Sequence, residues 1–329
     1  MSSGIRRVRL KSLAKVNLDL RILNKRGDGF HELRTVFQTI SLADMIDVEF
    51  EAARRTELAV DGVQIPDNLI LRAADAVLDA AKMQARVQFR LQKNIPMGGG
   101  LGGGSSNAAA VLLALPVLAG CEVAVEEIAA NLGSDVPFFL HGGAAVAVGR
   151  GTEMYPLPAL AEEPILLIAP GVHVATGPAY AALGRGLTFT GLSRSINDFQ
   201  AYVRAIGVVR RAGPASALSG NDFETVVYRE YPQLKTMAVK LSKAGAVGVR
   251  MSGSGSTLFG IFRTAAERDR AKGLLDGDRV FRESRILPAK LVSERSYQTM
   301  WRRQLREHLD PRTSDLWPLR SRHMSRNAR

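Results

Sequence analysis

The 329-residue chain holds a single cysteine, Cys121, and two tryptophans within an aromatic share of only 6%. One thiol excludes an internal disulfide framework and any metal cluster built from thiolates. Cys121 follows Gly120 beside an apolar run and reads as an inert, buried or half-buried thiol in a reducing compartment. Long apolar runs are missing too. The longest, Ala108 to Cys121, is interrupted by Pro116 and falls short of the roughly 18 residues that suggest a membrane span. Met1 to Lys15 is basic and lacks the apolar stretch of a secretory signal. These absences predict a cytoplasmic protein with no membrane segment.

Acidic residues are outnumbered, 32 Asp and Glu against 44 Lys and Arg, for a net charge of +12. Residues 291–329 carry nine Arg against four Asp or Glu, so part of the excess sits in the tail. Such a balance admits nucleic acid or an anionic metabolite as partner. No zinc-finger spacing, RRM signature or basic-aromatic stripe accompanies it, which favours the metabolite. Monomer and homodimer both remain open.

With 46% hydrophobic residues and this length, the chain has core enough for two domains. Short strands are expected at Val8–Leu13, Asn17–Leu23 and Met45–Glu51, a helix at Leu69–Met83 and a strand at Ala85–Leu91. Helices follow at Ser105–Leu115 and Val125–Leu132, and strands at Ala144–Val148 and Ile165–Ala169. The later half reads as helices at Thr176–Leu183, Ser195–Ile206, Tyr231–Lys243 and Ala265–Leu274. It also holds a hairpin of Val247–Met251 with Thr257–Phe262 and a last strand near Ser284–Leu291. Helices and strands mix without regular alternation, which predicts an α+β fold rather than a doubly wound parallel sheet. A boundary near Tyr155–Pro164 divides residues 1–158 from 159–292, leaving 293–329 as a basic tail of little periodicity.

Pro96-Met97-Gly98-Gly99-Gly100-Leu101-Gly102-Gly103-Gly104-Ser105-Ser106 is the strongest local signal. Six glycines in seven residues contribute almost no packing, so something requires bare backbone there. The run leads into a helix, whose N-terminal N–H groups and dipole suit phosphate. A Walker A loop would end in Gly-Lys-Ser/Thr, and no lysine is present. Gly98, Gly100 and Gly103 formally match a dinucleotide fingerprint, but outside its usual first βαβ unit. A flexible linker would not abut a capped apolar helix. A phosphate cradle fits best.

That loop resembles the second motif of the GHMP kinases, and the likeness extends from Lys11 to about Leu291. Ala14-Lys15-Val16-Asn17-Leu18 is similar to the family's first motif. Arg26-Gly27-Asp28-Gly29-Phe30-His31-Glu32-Leu33, Gly133-Ser134-Asp135-Val136-Pro137 and Asn221-Asp222-Phe223-Glu224 match further segments. Met251-Ser252-Gly253-Ser254-Gly255-Ser256 resembles the third motif, with Gly253, Ser254 and Gly255 at its centre. The Arg26–Leu33 segment points to the branch whose acceptor is a cytidine diphosphate-linked methylerythritol, phosphorylated on its 2-hydroxyl in isoprenoid precursor synthesis.

The resemblance implies a two-domain fold with its active site in the cleft between domains, and ATP and Mg²⁺ as cofactors. It makes Asp135 the catalytic base and Lys15 its neighbouring cation; read alone, Asp135 fits a helix or turn cap better and Lys15 a solvated strand lysine. It places Pro96 to Ser106 on the nucleotide phosphates, Asn68 near the adenine and Ser106 near the metal, although Asn68 also reads as a helix cap. Phe30, His31 and Tyr180 would hold the cytosine, Thr176 would hydrogen-bond the ligand, and Asn17 would meet the methylerythritol hydroxyls or a phosphate. Phe30 departs from the commoner Tyr, Thr176-Gly177-Pro178 shifts the usual Pro, and the tail exceeds the usual family length. Other GHMP kinases acting on mevalonate, homoserine or a sugar, a non-catalytic sugar sensor and an RNA-binding protein are the alternatives.

Overall fold

Two long strands, β1 (Arg6–Lys25) and β2 (His31–Ala52), pair antiparallel along their length. The computed structural model describes residues 4–25, 27, 29, 31–184, 220–313 and 315–322. The strands expected at the N-terminus are segments of this one pair. Register shifts between Leu13 and Lys15, Asn17 and Asp19, and Ile22 and Asn24 break the two-residue alternation that would have joined them. Phe30 and the helix expected at Ser195–Ile206 lie outside the described residues.

β2 organises the first sheet. Its far edge pairs with β4 (Ala85–Gln92) over Met45–Ala52 and with β5 (Ala144–Gly149) over Leu33–Gln38. β3 (Glu57–Gly62) runs parallel to β4, joined by α1 (Leu69–Ala80), and β6 (Glu153–Pro156) extends the β5 edge. Residues 157–163 lead to a second sheet of order β10-β7-β9-β8, made of β7 (Pro164–Ala169), β8 (Gly248–Met251), β9 (Leu258–Ile261) and β10 (Arg285–Lys290). β8 and β9 form the expected hairpin. The mixture of helices with largely antiparallel sheets is the expected α+β class.

Strand alternation assigns the faces. In β5, Ala145 and Ala147 join one core while Ala144 and Val146 join another. In β7, Ile165 and Leu167 share that second core, and Leu166 and Ile168 enter a third. The two sheets therefore face each other across the middle core, with helices outside both. On the first sheet lie α1, α2 (Gly103–Ala119), α3 (Val125–Leu132) and α4 (Phe138–His141). On the second lie α5 (Thr176–Ala182), α6 (Phe223–Glu230), α7 (Pro232–Lys243) and α8 (Ala265–Asp276).

α2 is the central helix, buried from Ser106 to Leu118. It begins at Gly103, earlier than expected, and continues through Pro116 to end at Gly120 in a left-handed turn. A proline near a helix end forfeits one backbone bond and is tolerated where packing on all sides holds the turn. The C-terminal region is also structured. α9 (Glu294–Leu305) buries Tyr297, Trp301 and Leu305 in the first core, four residues apart on one face, and Leu309 and Leu319 follow them.

Candidate active site

Lys15 is only 4% exposed, so its ammonium must find partners inside the protein. Its Nζ donates to Asn17 Oδ1 at 2.8 Å, lies 3.4 Å from Asp135 Oδ2 and sits 5.0 Å from the centre of the Phe37 ring. β1 is buried on both faces from Ser12 to Leu20, and its register against β2 shifts on either side of Lys15 and Asn17. Asn17 is held in turn: its Nδ2 donates to Thr35 Oγ1 at 2.7 Å, and its backbone N–H donates to Ser252 Oγ at 3.3 Å. Asp135, half-buried in the turn between α3 and α4, is the one member of this group with substantial access to solvent, its side chain 29% exposed.

The glycine-rich loop crosses above Lys15, whose backbone N–H donates to Leu101 O at 3.0 Å. Gly98, Gly100 and Gly102 take left-handed conformations, with φ of +66°, +75° and +68°. Gly102 is the N-cap of α2 and offers no side-chain acceptor, so the first N–H groups of that helix have no capping partner from it. Gly103, by contrast, is simply the first helical residue.

The third motif closes against this loop from the second sheet. Ser252 Oγ donates to Gly100 O at 2.9 Å, and a Cβ on Gly100 would stand 2.1 Å from Ser252 O. Asn221 Nδ2 donates to Met251 O at 2.8 Å and to Gly253 O at 2.7 Å, while Glu224 accepts from Met251 N–H at 2.8 Å. Asp222 accepts from Ile22 N–H at 3.0 Å and meets Arg21 Nη1 at 3.1 Å. The Asn221–Glu224 segment thus ties β1 to the third motif. Ser252 and Asn221 stand outside the residues chosen from sequence, although both lie in segments that carried the resemblance.

On the rim beyond Asp135, His31 and Tyr180 stack at 4.7 Å with their planes 21° apart, and Phe223 meets Tyr180 edge-on at 4.8 Å. Burial, together with the charge of Asp135, pushes the Tyr180 phenol up to about 12. Burial, and then Lys25, hold the His31 imidazole below its usual range. Thr176, exposed at the start of α5, lies 2.9 Å from Ser254 Oγ. Asn68 caps α1, its Oδ1 accepting from Ile70 N–H at 3.0 Å, and its buried Nδ2 has no partner within the protein. The Ser106 hydroxyl turns inward, donating to Leu13 O at 2.6 Å and meeting Ser12 Oγ at 2.7 Å.

Two family models match parts of the chain, in order: GHMP kinases N terminal domain over residues 68–143 and GHMP kinases C terminal over residues 201–273. A 4-diphosphocytidyl-2-C-methyl-D-erythritol kinase of Solibacter usitatus (strain Ellin6076) is 47% identical over 329 residues, covering 98% of this chain and 99% of its own length. The chain belongs to the GHMP kinases, in their 4-diphosphocytidyl-2-C-methyl-D-erythritol kinase branch. A relative of the same name from Pelotomaculum thermopropionicum is 42% identical over 257 residues, 75% of this chain and 86% of its own. A crystal structure of 4-(cytidine 5'-diphospho)-2C-methyl-D-erythritol kinase superimposes with a TM-score of 0.72 at 36% identity, over 86% of this chain and 98% of that one.

As a GHMP kinase the chain is a small-molecule kinase, and its family makes ATP the phosphoryl donor. The GHMP fold accounts for the meeting of first, second and third motifs, which come from β1, the α2 entry and the β8–β9 turn. Among the described residues no helix is long and apolar enough to cross a membrane.

Proposed function

We propose that this chain transfers the γ-phosphoryl group of ATP to the 2-hydroxyl of 4-diphosphocytidyl-2-C-methyl-D-erythritol, in the cytoplasm. The observation that carries the reading is the Lys15–Asn17–Asp135 group beneath the glycine loop, with an aromatic pair on the adjoining rim. Asp135 is the base: it takes the hydroxyl proton as the oxygen forms its bond to phosphorus and the bond to the ADP oxygen breaks. Lys15, fixed by Asn17 and Phe37, stabilises the charge spread over the phosphoryl oxygens. Pro96 to Ser106, led by the uncapped start of α2, hold the phosphates, and Asn68 offers its unpartnered Nδ2 to the adenine.

The acceptor's cytosine would use Tyr180 and His31. At 4.7 Å between ring centres no third ring fits between them. The base takes His31's place on the Tyr180 face while the imidazole turns to the base edge, with Phe30, Thr176 and Asn17 completing the acceptor contacts. Mg²⁺ enters with the nucleotide. Mg²⁺ prefers oxygen ligands and keeps several waters, so phosphate oxygens and water would supply most of its shell. Asp135 supplies a carboxylate near its path. Ser106 can give only an oxygen lone pair, since its hydrogen is engaged. Bound there, the ion would neutralise phosphate charge.

The same reading divides the chain into units 1–158 and 159–292, with 293–329 as an extension. The crossing between sheets at residues 157–163 supports the first boundary, and the packing of α9 on the first core supports grouping the extension with the first unit. Either a monomer or a homodimer is compatible with this site.

Coupled ADP release with cytidine-linked and uridine-linked methylerythritol, side by side, tests the function. The cytidine compound is expected to react at least about tenfold faster, because a carbonyl in place of the amino group mismatches buried partners. Asp135→Asn should reduce kcat by about 10²–10⁴-fold with ATP affinity within a few-fold. Equal rates on both acceptors, or turnover of free mevalonate or homoserine, would sink the cytidine reading.

A further inference from the structure

The turn that carries Asp135 is short and held from behind. Val136 N–H donates to Gly133 O at 3.1 Å, Phe139 N–H to Val136 O at 3.1 Å, Leu140 N–H to Pro137 O at 3.2 Å and Gly142 N–H to Phe138 O at 2.9 Å. The four-residue α4 that follows leaves its last carbonyls without partners in the helix. Two of them are met from the C-terminal extension. Tyr297 Oη donates to Phe139 O, and Trp317 Nε1 donates to Leu140 O at 3.1 Å. Both contacts reach across more than 150 residues of sequence.

The fit is tight around these bonds. A Cβ on Gly142 would stand 2.4 Å from the Tyr297 ring, and one on Gly143 would stand 2.7 Å from Glu294 Cβ. Tyr297 is 2% exposed and its phenol, deeply buried, is pushed well above the usual range, so it acts as a neutral donor at any physiological pH. α4 in turn touches the reacting side of the site. The Phe139 ring lies 3.0 Å from where a Gly102 Cβ would be, alongside Lys15 Cγ at 3.1 Å. Phe138 packs on Phe37 at 5.1 Å, the ring over which the Lys15 ammonium sits.

We propose that the C-terminal extension, through Tyr297 and Trp317, is a positioning element that sets the placement of Asp135 against Lys15 and Gly102 by holding α4. Neither residue reaches the acceptor or the nucleotide; they fix the far end of the turn whose near end carries the carboxylate. The inference rests on Asp135 as the base, and its test separates the two. Displacement of a reacting group by about 1 Å can cost 10²-fold in rate.

The experiment compares Tyr297→Phe and Trp317→Phe, each removing one donor and keeping a ring, with Ser321→Ala. Ser321 also secures the extension, but against α2, donating to Val117 O at 2.7 Å. Steady-state kinetics, melting temperature and hydrogen exchange of the 136–142 amides are read on the full chain. Each Phe variant is expected to lower kcat about tenfold with KM for ATP within about twofold, and to speed exchange in 136–142. Ser321→Ala should leave kcat and that exchange unchanged. A folded Tyr297→Phe with wild-type kcat and exchange overturns the proposal. So does a loss of activity in all three variants that tracks their melting temperatures. Faster exchange in the Phe variants with no change on Asp135→Asn would keep the clamp and remove Asp135 as the base it serves.

Discussion

At the scale of single residues, the glycine loop separates requirement from composition. Gly100 is left-handed, and its missing Cβ leaves space that Ser252 O would otherwise contest at 2.1 Å. The obstacle is backbone and cannot swing aside. Gly104, with Leu69 Cδ1 at 3.8 Å as its nearest neighbour, has room. Gly100→Ala should destabilise by about 2–4 kcal/mol from strain and overpacking together and weaken nucleotide binding. Gly104→Ala should fold like the parent. Thermal melts and nucleotide titration of both check this; equal behaviour would mean the loop is not seated against the third motif. The run of glycines was legible in the sequence, but not which of them bend. The left-handed ones are Gly98, Gly100 and Gly102, while Gly103 opens the helix, a distinction the repeated glycines do not carry. Lys15 and Asp135 could be paired only through the resemblance, because 120 residues of chain separate them and no local pattern records their 3.4 Å approach.

At the scale of elements, regular periodicity was readable and interrupted periodicity was not. α1, α3 and the β8–β9 hairpin lie where their spacing places them. β1 and β2 were seen as fragments because bulges reset the alternation. α9 was not seen: its apolar set is one residue per turn, Tyr297, Trp301 and Leu305, in a strongly polar background. The connection between sheets holds a pH-sensitive contrast. Burial pushes Glu162 up, yet hydrogen bonds from Lys290, Ser296 and Ser293 outweigh it and hold the carboxyl at about 2. Its neighbour Glu163 is pushed by burial from its ordinary 4.5 to about 7. A carboxyl with a raised folded-state value favours folding below its unfolded value and loses that contribution as pH rises through the folded one. Glu163→Gln should therefore raise the melting temperature relative to the parent at pH 8 and match it at pH 4.5. An equal shift at both pH values would point to packing rather than titration.

At the scale of the whole molecule, three cores are strung on one strand. Leu10 and Leu13 enter the first, Ala14, Val16 and Leu18 the second, and Leu20 and Ile22 the third. Loss of either sheet would strip one face of β1, so the units should unfold together. Tryptophan fluorescence reports the first core, where Trp301 and Trp317 both pack, and far-UV circular dichroism reports all of it. Their denaturant midpoints should coincide; two separated transitions would show that the units fold independently.

This shared strand bears on how the enzyme could be taken apart. A fragment ending near residue 158 would present Leu20 and Ile22 to water, since the helices that cover them come from beyond it. A fragment beginning there would lack the strand that supplies Ile22 N–H to Asp222 and Leu20 to Asn221, and with it the support of the third motif. Reconstitution from two separately produced halves would have to rebuild one continuous seam through every hydrophobic cluster at once. A split reporter or inducible dimer made from this kinase belongs in the surface turns, not at the apparent domain boundary.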